Sequence, residues 1–202
     1  MLIDIDQVLQ LQAKTVAIWH TQPISNEYEG VYQLVCQQHQ FNYELWHEED
    51  IARSRDVTDA RIAEVKRAID RLNQARNDHI EKLDDWLSEA LVHQGVEIHG
   101  DAIQNTETPG SAIDRLSIMA LRLYHYREQL DRTDVEQAHV ERVQQRIALC
   151  EEQRLDLSNS LKNLLDGIEQ GRFVHKTYRQ MKMYNDPTLN PQLYATKHRA
   201  AG

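Results

Sequence analysis

Apolar residues recur along this chain at the three- and four-residue spacing that places them on one side of an α-helix. The first run is Ile5, Val8, Leu9, Leu11, Ala13, Val16 and Ala17, and it predicts a helix over 4–20. Gln22-Pro23 ends it, because a proline ring crowds the preceding residue out of helical geometry. Ser25 or Asn26 then offers a cap for a second helix over about 26–54. That helix gathers Tyr28, Tyr32, Val35, Cys36, His39, Tyr43, Trp46, His47 and Asp50 in one stripe. Two histidines and an aspartate therefore stand among aromatics on the face expected to turn inward.

Residues 55–58 read as a turn, with Asp56 or Thr58 capping a third helix that continues to about His93. Its seam is Ile62, Val65, Ile69, Leu72, Ile80, Leu83 and Leu87, with Arg76 where another aliphatic is due. Beside the seam runs a polar row of Lys66, Asp70, Asn73, Asn77, Glu81 and Asp84, a pattern that usually faces solvent. Residues 94–110 hold three of the chain's glycines and form a loop. A fourth helix over about 111–131 is apolar on two sides, which marks it as central. Ile118 and Leu121 share one of those sides with Asp114 and His125. Ser111 with Asp114 predicts its cap, and Thr133 with Glu136 resembles a capping box for the fifth helix. The fifth seam is Val140, Val143, Ile147, Cys150, Leu157, Leu161, Leu164 and Ile168, broken only by Arg154. The predicted fold is an all-α, elongated antiparallel bundle of about five main helices. At about 1.5 Å per residue its second, third and fifth helices are roughly 40–55 Å long.

Composition supports this and adds a charge asymmetry. Seven glycines and four prolines in 202 residues leave few places for helices to break. The net charge is −9, yet residues 172–202 carry six lysines and arginines, among them Lys197 and Arg199, against the single acid Asp186. The expected organisation is a bundle domain over 1–171. A basic, aromatic tail over 172–202 (Phe173, Tyr178, Tyr184 and Tyr194) then packs on that acidic body after a turn at Asn185-Asp186-Pro187. An acidic body lacks the basic footprint that nucleic acid requires. Cys36 and Cys150 fall on apolar stripes and read as reduced core residues. No apolar run reaches membrane length, and the acidic N-terminus does not resemble a signal peptide, so a bacterial-type cytoplasmic protein is expected.

Candidate chemistry rests on polar residues in apolar positions. A guanidinium inside a seam needs a carboxylate or an anionic ligand, because an unpaired buried charge is too costly. Arg76 and Arg154 thus predict either ion pairs with Asp50, Asp114 or Asp70, or a clamp on the phosphate or carboxylate of a small molecule. Asn73 and Asn77 are poor mid-helix residues and point to a specific hydrogen-bonding role beside them. The candidate ligand site comprises Arg76, Arg154, Asn73, Asn77, Trp46, His47, Asp50, Asp114 and His125. A divalent metal held by His47, Asp50 and His125, with Asp78 or Glu81 as further candidates, is a second possibility. His39 lies too far along the helix from His47 to share one ion with it. No phosphate loop or nucleophile elbow is present.

The segments NYELWHEEDIAR (42–53), IDRLNQARNDHIEKLD (69–84), TPGSAIDRLSIMALRLYH (108–125) and MYNDPTLNP (183–191) resemble an uncharacterised bacterial family known as a domain of unknown function. The resemblance covers most of the chain and implies no established activity, cofactor or catalytic residue. Three functions remain open: a small-anion-binding protein, with or without catalysis; a homodimeric helical scaffold in which the same residues set register; and a metal-dependent hydrolase acting on a nucleotide or sugar phosphate.

Overall fold

The computed structural model describes residues 2–183 and 186–193. Tyr184, Asn185, Tyr194, Lys197 and Arg199, counted above with the tail, lie outside the described residues. Five helices carry the fold: α1 (Ile5–Trp19), α2 (Gly30–Arg53), α3 (Asp59–His93), α4 (Pro109–Leu130) and α5 (Gln137–Glu169). Two-residue strands β1 (Ile103–Gln104) and β2 (Phe173–Val174) pair in parallel, joining the long loop to the segment after α5. The all-α bundle expected from periodicity is the observed architecture. The longest helices, α3 with 35 residues and α5 with 33, are about 50 Å long at ~1.5 Å per residue. α2 packs chiefly on α3 and α4 on α5, while α4 also touches α1, α2 and α3.

The helix starts differ from the predicted ones for local reasons. α2 begins at Gly30, not near 26, because Asn26 closes a turn instead of a helix. Its side chain accepts from the Tyr28 amide at 3.3 Å and donates to the Gln33 carbonyl at 2.9 Å. Gly30, at φ +57°, then turns the chain into the helix. α4 is capped by Thr108, not Ser111. Thr108 accepts the Ser111 amide at 3.1 Å, and Pro109 takes the first helical position, where its missing N–H costs nothing. The Thr133/Glu136 box does not form. Residues 131–136 make a turn in which Arg132 and Asp134 pair, and α5 starts after Glu136 without a side-chain cap.

α5 ends on a Schellman motif. The Arg172 amide donates to the Gly167 carbonyl at 2.8 Å and the Gly171 amide to Ile168 at 3.0 Å, with Gly171 at φ +71°. A side chain at Gly171 would also collide with the Glu97 carbonyl, so this glycine permits the close approach of the 94–110 loop.

The main core draws on every helix, with Ile5, Val35, Leu87, Ile113, Leu116 and Leu165 wholly buried. Each such side chain contributes about 1.5–3 kcal/mol by leaving water. A smaller cluster of Leu45, Val65 and Ile69, flanked by Ile51 and Leu72, holds α2 to α3 farther along. The polar row on α3 is not uniformly solvated: Asp84 is buried and accepts the Gly110 amide at 2.8 Å, tying α3 to the start of α4. Burial raises its pKa, against the lowering effect of the hydrogen bonds from Thr108 and Gly110. The segment after β2 runs along the same acidic part of α3. His175 bonds the Asp84 carbonyl at 2.8 Å, and Arg179 pairs with Asp85 at 2.8 Å and Glu81 at 3.1 Å. Solvent screens these exposed pairs, so they position the segment more than they stabilise the fold. Among the described residues no helix is long and apolar enough to cross a membrane.

Candidate functional site

Asp114 is the centre of the polar interior. It enters from the first turns of α4 and is 4% exposed. Arg76, from the gap in the α3 seam, meets it side-on: Nε donates to Oδ1 at 2.7 Å and Nη2 to Oδ2. From α2, Asn42 Nδ2 donates to Oδ1 at 2.9 Å, and Gln38 Nε2 donates to the same oxygen. Three helices thus converge on one carboxylate, which holds the Arg76 pKa above its ordinary value. The network continues inward. Asn42 Nδ2 also donates to Ser117 Oγ at 2.9 Å, and Ser117 Oγ lies 2.6 Å from His39 Nδ1. A serine hydroxyl against an imidazole is a nucleophile–base pairing in an accessible site. Here both residues are 0% exposed, so no substrate reaches them, and burial pushes the His39 pKa down to about 3.

Arg76 also lines a cleft of about 420 Å³ between α2, α3 and α4. Its walls are Asn42, Leu45, Trp46, Glu49, Asp50 and Arg53 from α2, Asn73 and Arg76 from α3, and Ile118 and Leu121 from α4. Both hydrogen bonds of Arg76 leave through Nε and Nη2, so Nη1 has no partner among the described residues. Arg53 is tied to Glu49 at 2.8 Å, whereas Asp50 is exposed on the wall. A larger cleft of about 710 Å³ between α4 and α5 contains none of the polar residues singled out above, and its Arg115 and Glu107 neutralise each other at 2.7 Å.

The structure therefore brings together Trp46, Asp50, Asn73, Arg76 and Asp114. Asn77 is half-buried but does not line this cleft. Arg154 is elsewhere, where α5 meets α1. Its Nη2 donates to the Leu9 carbonyl at 3.0 Å, its Nε is buried without a partner, and burial lowers its pKa. Gln38, Asn42 and Ser117 have no counterpart among the sequence-flagged residues, because single amides and a serine on helices carry no distinctive spacing.

The histidines gather nearer the other end of α4. Ring nitrogens of His20, His47 and His125 lie within 4.8 Å of one another. His20 caps the end of α1, His47 is on α2 and His125 on α4. Asp50, expected beside His47 and His125, lies instead at the α2–α3–α4 cleft, one turn beyond His47, and His20 completes the group. Nothing in the first helix's periodicity marks His20; only the packing of α1 against α4 delivers it. Each ring is anchored through Nδ1: His20 to the Val16 carbonyl at 2.6 Å, His47 to the Tyr43 carbonyl at 2.8 Å and His125 to Glu128 Oε2 at 2.7 Å. Tyr124 stacks on His20 with centroids 4.1 Å apart, and Trp46 stacks on His125 at 4.7 Å. Burial lowers the His125 pKa and the adjacent His20 and His47 lower it further, against the raising effect of Glu128.

Comparison with family models matches residues 32–177 to the family described as Protein of unknown function (DUF4254). The chain belongs to this family. The DUF4254 match contains the whole Asp114 network and the lining of the Arg76 cleft, together with His47 and His125, while His20 precedes it. Neither the curated proteins nor the solved structures match the chain.

Proposed function

We propose that this DUF4254 chain binds a small polar molecule bearing a carboxylate or phosphate in the α2–α3–α4 cleft. The observation that carries this reading is the posture of Arg76. Asp114, itself held by Asn42 and Gln38, grips the guanidinium through Nε and Nη2, so this cleft-lining arginine keeps Nη1 without a partner among the described residues. A guanidinium immobilised in this way offers directional donors with little entropy left to lose on binding. Because Asp114 already neutralises its charge, the contact is a hydrogen bond with shape selectivity more than a bare charge attraction. Asp50 and the Asn73 amide suit hydroxyl or amino groups at the ligand's other end, and Trp46 supplies an apolar face. The buried thiols of Cys36 and Cys150 support a reducing, cytoplasmic setting.

The test is a thermal-shift screen of sugar phosphates, nucleotides and dicarboxylates on the wild-type protein and on Asn73→Leu. This variant fills the cleft wall and leaves the backbone carbonyl of residue 73 free to accept from Lys182. A ligand at 100 times its Kd stabilises by about 2.7 kcal/mol, which is ~5–11 °C in a protein of this size. At least one class is expected to shift the wild type and not Asn73→Leu. No shift by any class, or equal shifts in both proteins, contradicts the proposal.

A further inference from the structure

We propose that His20, His47 and His125 form a site for one divalent transition-metal ion of the zinc, cobalt, nickel or copper type. The hydrogen bonds that hold these three rings share no partner with those of Arg76. All three Nδ1 atoms face oxygen acceptors, two backbone carbonyls and one carboxylate, so Nδ1 carries the proton in each ring. The Nε2 atoms are then left as lone-pair donors. Those of His20 and His125 are buried and have no hydrogen-bond partner. His39 and His139 also keep a buried, unpartnered Nε2, so what distinguishes His20 and His125 is that ring nitrogens of these two and of His47 lie within 4.8 Å of one another.

The chemistry selects the ion. With each Nδ1–H already given to an oxygen, the group offers Nε2 lone pairs, which suit a cation and not an anion. Nitrogen donors favour zinc and its neighbours over magnesium or calcium, which take oxygen. The Nδ1–H contact of His125 with Glu128 is the carboxylate–histidine–metal arrangement that orients a ligand and strengthens its basicity. Nitrogens on a tetrahedral ion with bonds of about 2.1 Å stand roughly 3.4 Å apart. Ring nitrogens of the three histidines now lie up to 4.8 Å apart, so the rings must draw together on loading. His20 is well placed for this, since it caps α1 and has no following helical turn to restrain it. Three protein nitrogens leave a fourth position for water or a substrate oxygen, as catalytic zinc sites do.

The experiment uses the full chain without an affinity tag, stripped with chelator and titrated with Zn(II) by calorimetry and with Co(II) by visible absorption. One equivalent is expected to bind, with the intense d–d absorption of four-coordinate Co(II). His20→Ala, His47→Ala and His125→Ala should each weaken Zn(II) binding more than ~10-fold, and Glu128→Gln by about 10-fold through the lost carboxylate contact to His125. His93→Ala, at the exposed end of α3, should leave affinity unchanged. X-ray absorption of the zinc-loaded wild type should count three imidazoles, a readout that needs no variant to fold. Absence of stoichiometric binding, affinity unaltered by all three alanine variants, or fewer than three imidazoles overturns the assignment.

Discussion

Asp114→Asn isolates the charge at the centre of the bundle with almost no change of shape. The Asp114 side chain is 5% exposed and that of Arg76 is 25% exposed. Removing one partner of a buried pair typically costs about 3–5 kcal/mol, because the remaining charge is left uncompensated. Arg76 keeps enough contact with the cleft to be partly rehydrated, so the lower end applies, about 3 kcal/mol. In a protein of this size that corresponds to a fall in Tm of ~6–12 °C. The assay is urea unfolding followed by circular dichroism, with Arg76→Met and the Arg76→Met/Asp114→Asn double variant completing a cycle. The carboxamide introduced at position 114 can still accept from Gln38 and Asn42 through its carbonyl oxygen, and a thioether at position 76 needs no counter-charge. The double variant should therefore recover at least ~1 kcal/mol of the loss. A single-variant cost below about 1 kcal/mol, or strict additivity in the cycle, would show that Asp114 does not hold Arg76 electrostatically.

Three further outcomes follow from the same structure. His39 is neutral in the fold, with its pKa held near 3 against 6.5 ordinarily. Protons therefore bind the unfolded chain first, and stability present above pH 6.5 is lost as the pH falls toward 3, at about 1.4 kcal/mol per pH unit. Urea unfolding at pH 5 should show ~2 kcal/mol less stability than at pH 7, with a smaller loss in His39→Gln; equal losses in the two proteins would refute the assignment. Gly171→Ala combines φ +71° with a collision against the Glu97 carbonyl. It should cost more than about 1 kcal/mol and expose the 94–110 loop to protease, whereas wild-type stability would contradict the tight Schellman turn. Burial pushes the Cys36 thiol up to about 12 and raises that of Cys150, so a disulfide-exchange reagent at pH 8 should label neither until denaturant is added. Rapid labelling of the native protein would place them outside the core.

The helices were legible because their seams repeat over many turns. A periodic apolar stripe must be buried wherever the neighbours come from, and the α5 seam from Val140 to Ile168 is mostly buried or half-buried as expected. Arg76 was legible for the same reason, since a charge in such a seam must find a partner. The partner was not unique: Asp50, Asp70 and Asp114 were all candidates, and only the placement of α4 beside α2 and α3 selects Asp114. The parallel β1–β2 pair could not be foreseen, because two-residue strands have no period. Asn42, Gln38 and Ser117 look like ordinary surface residues until three helices surround them. His20 shows the limit most clearly. It closes a short helix next to a turn, and its significance lies entirely in rings that arrive from 27 and 105 residues later in the chain.

The affinity of the compound selected by the thermal-shift screen for Arg76→Lys, measured by calorimetry beside the wild type, bears most directly on the proposed site. Lysine keeps the positive charge but cannot hold the side-on bond to Asp114 while presenting a second fixed edge to the cleft. Losing one hydrogen bond to a charged donor costs about 1.5–3 kcal/mol, so a folded Arg76→Lys protein should bind ~10–100-fold more weakly. Equal affinity in the two proteins would contradict the proposed site and place the ligand away from Arg76.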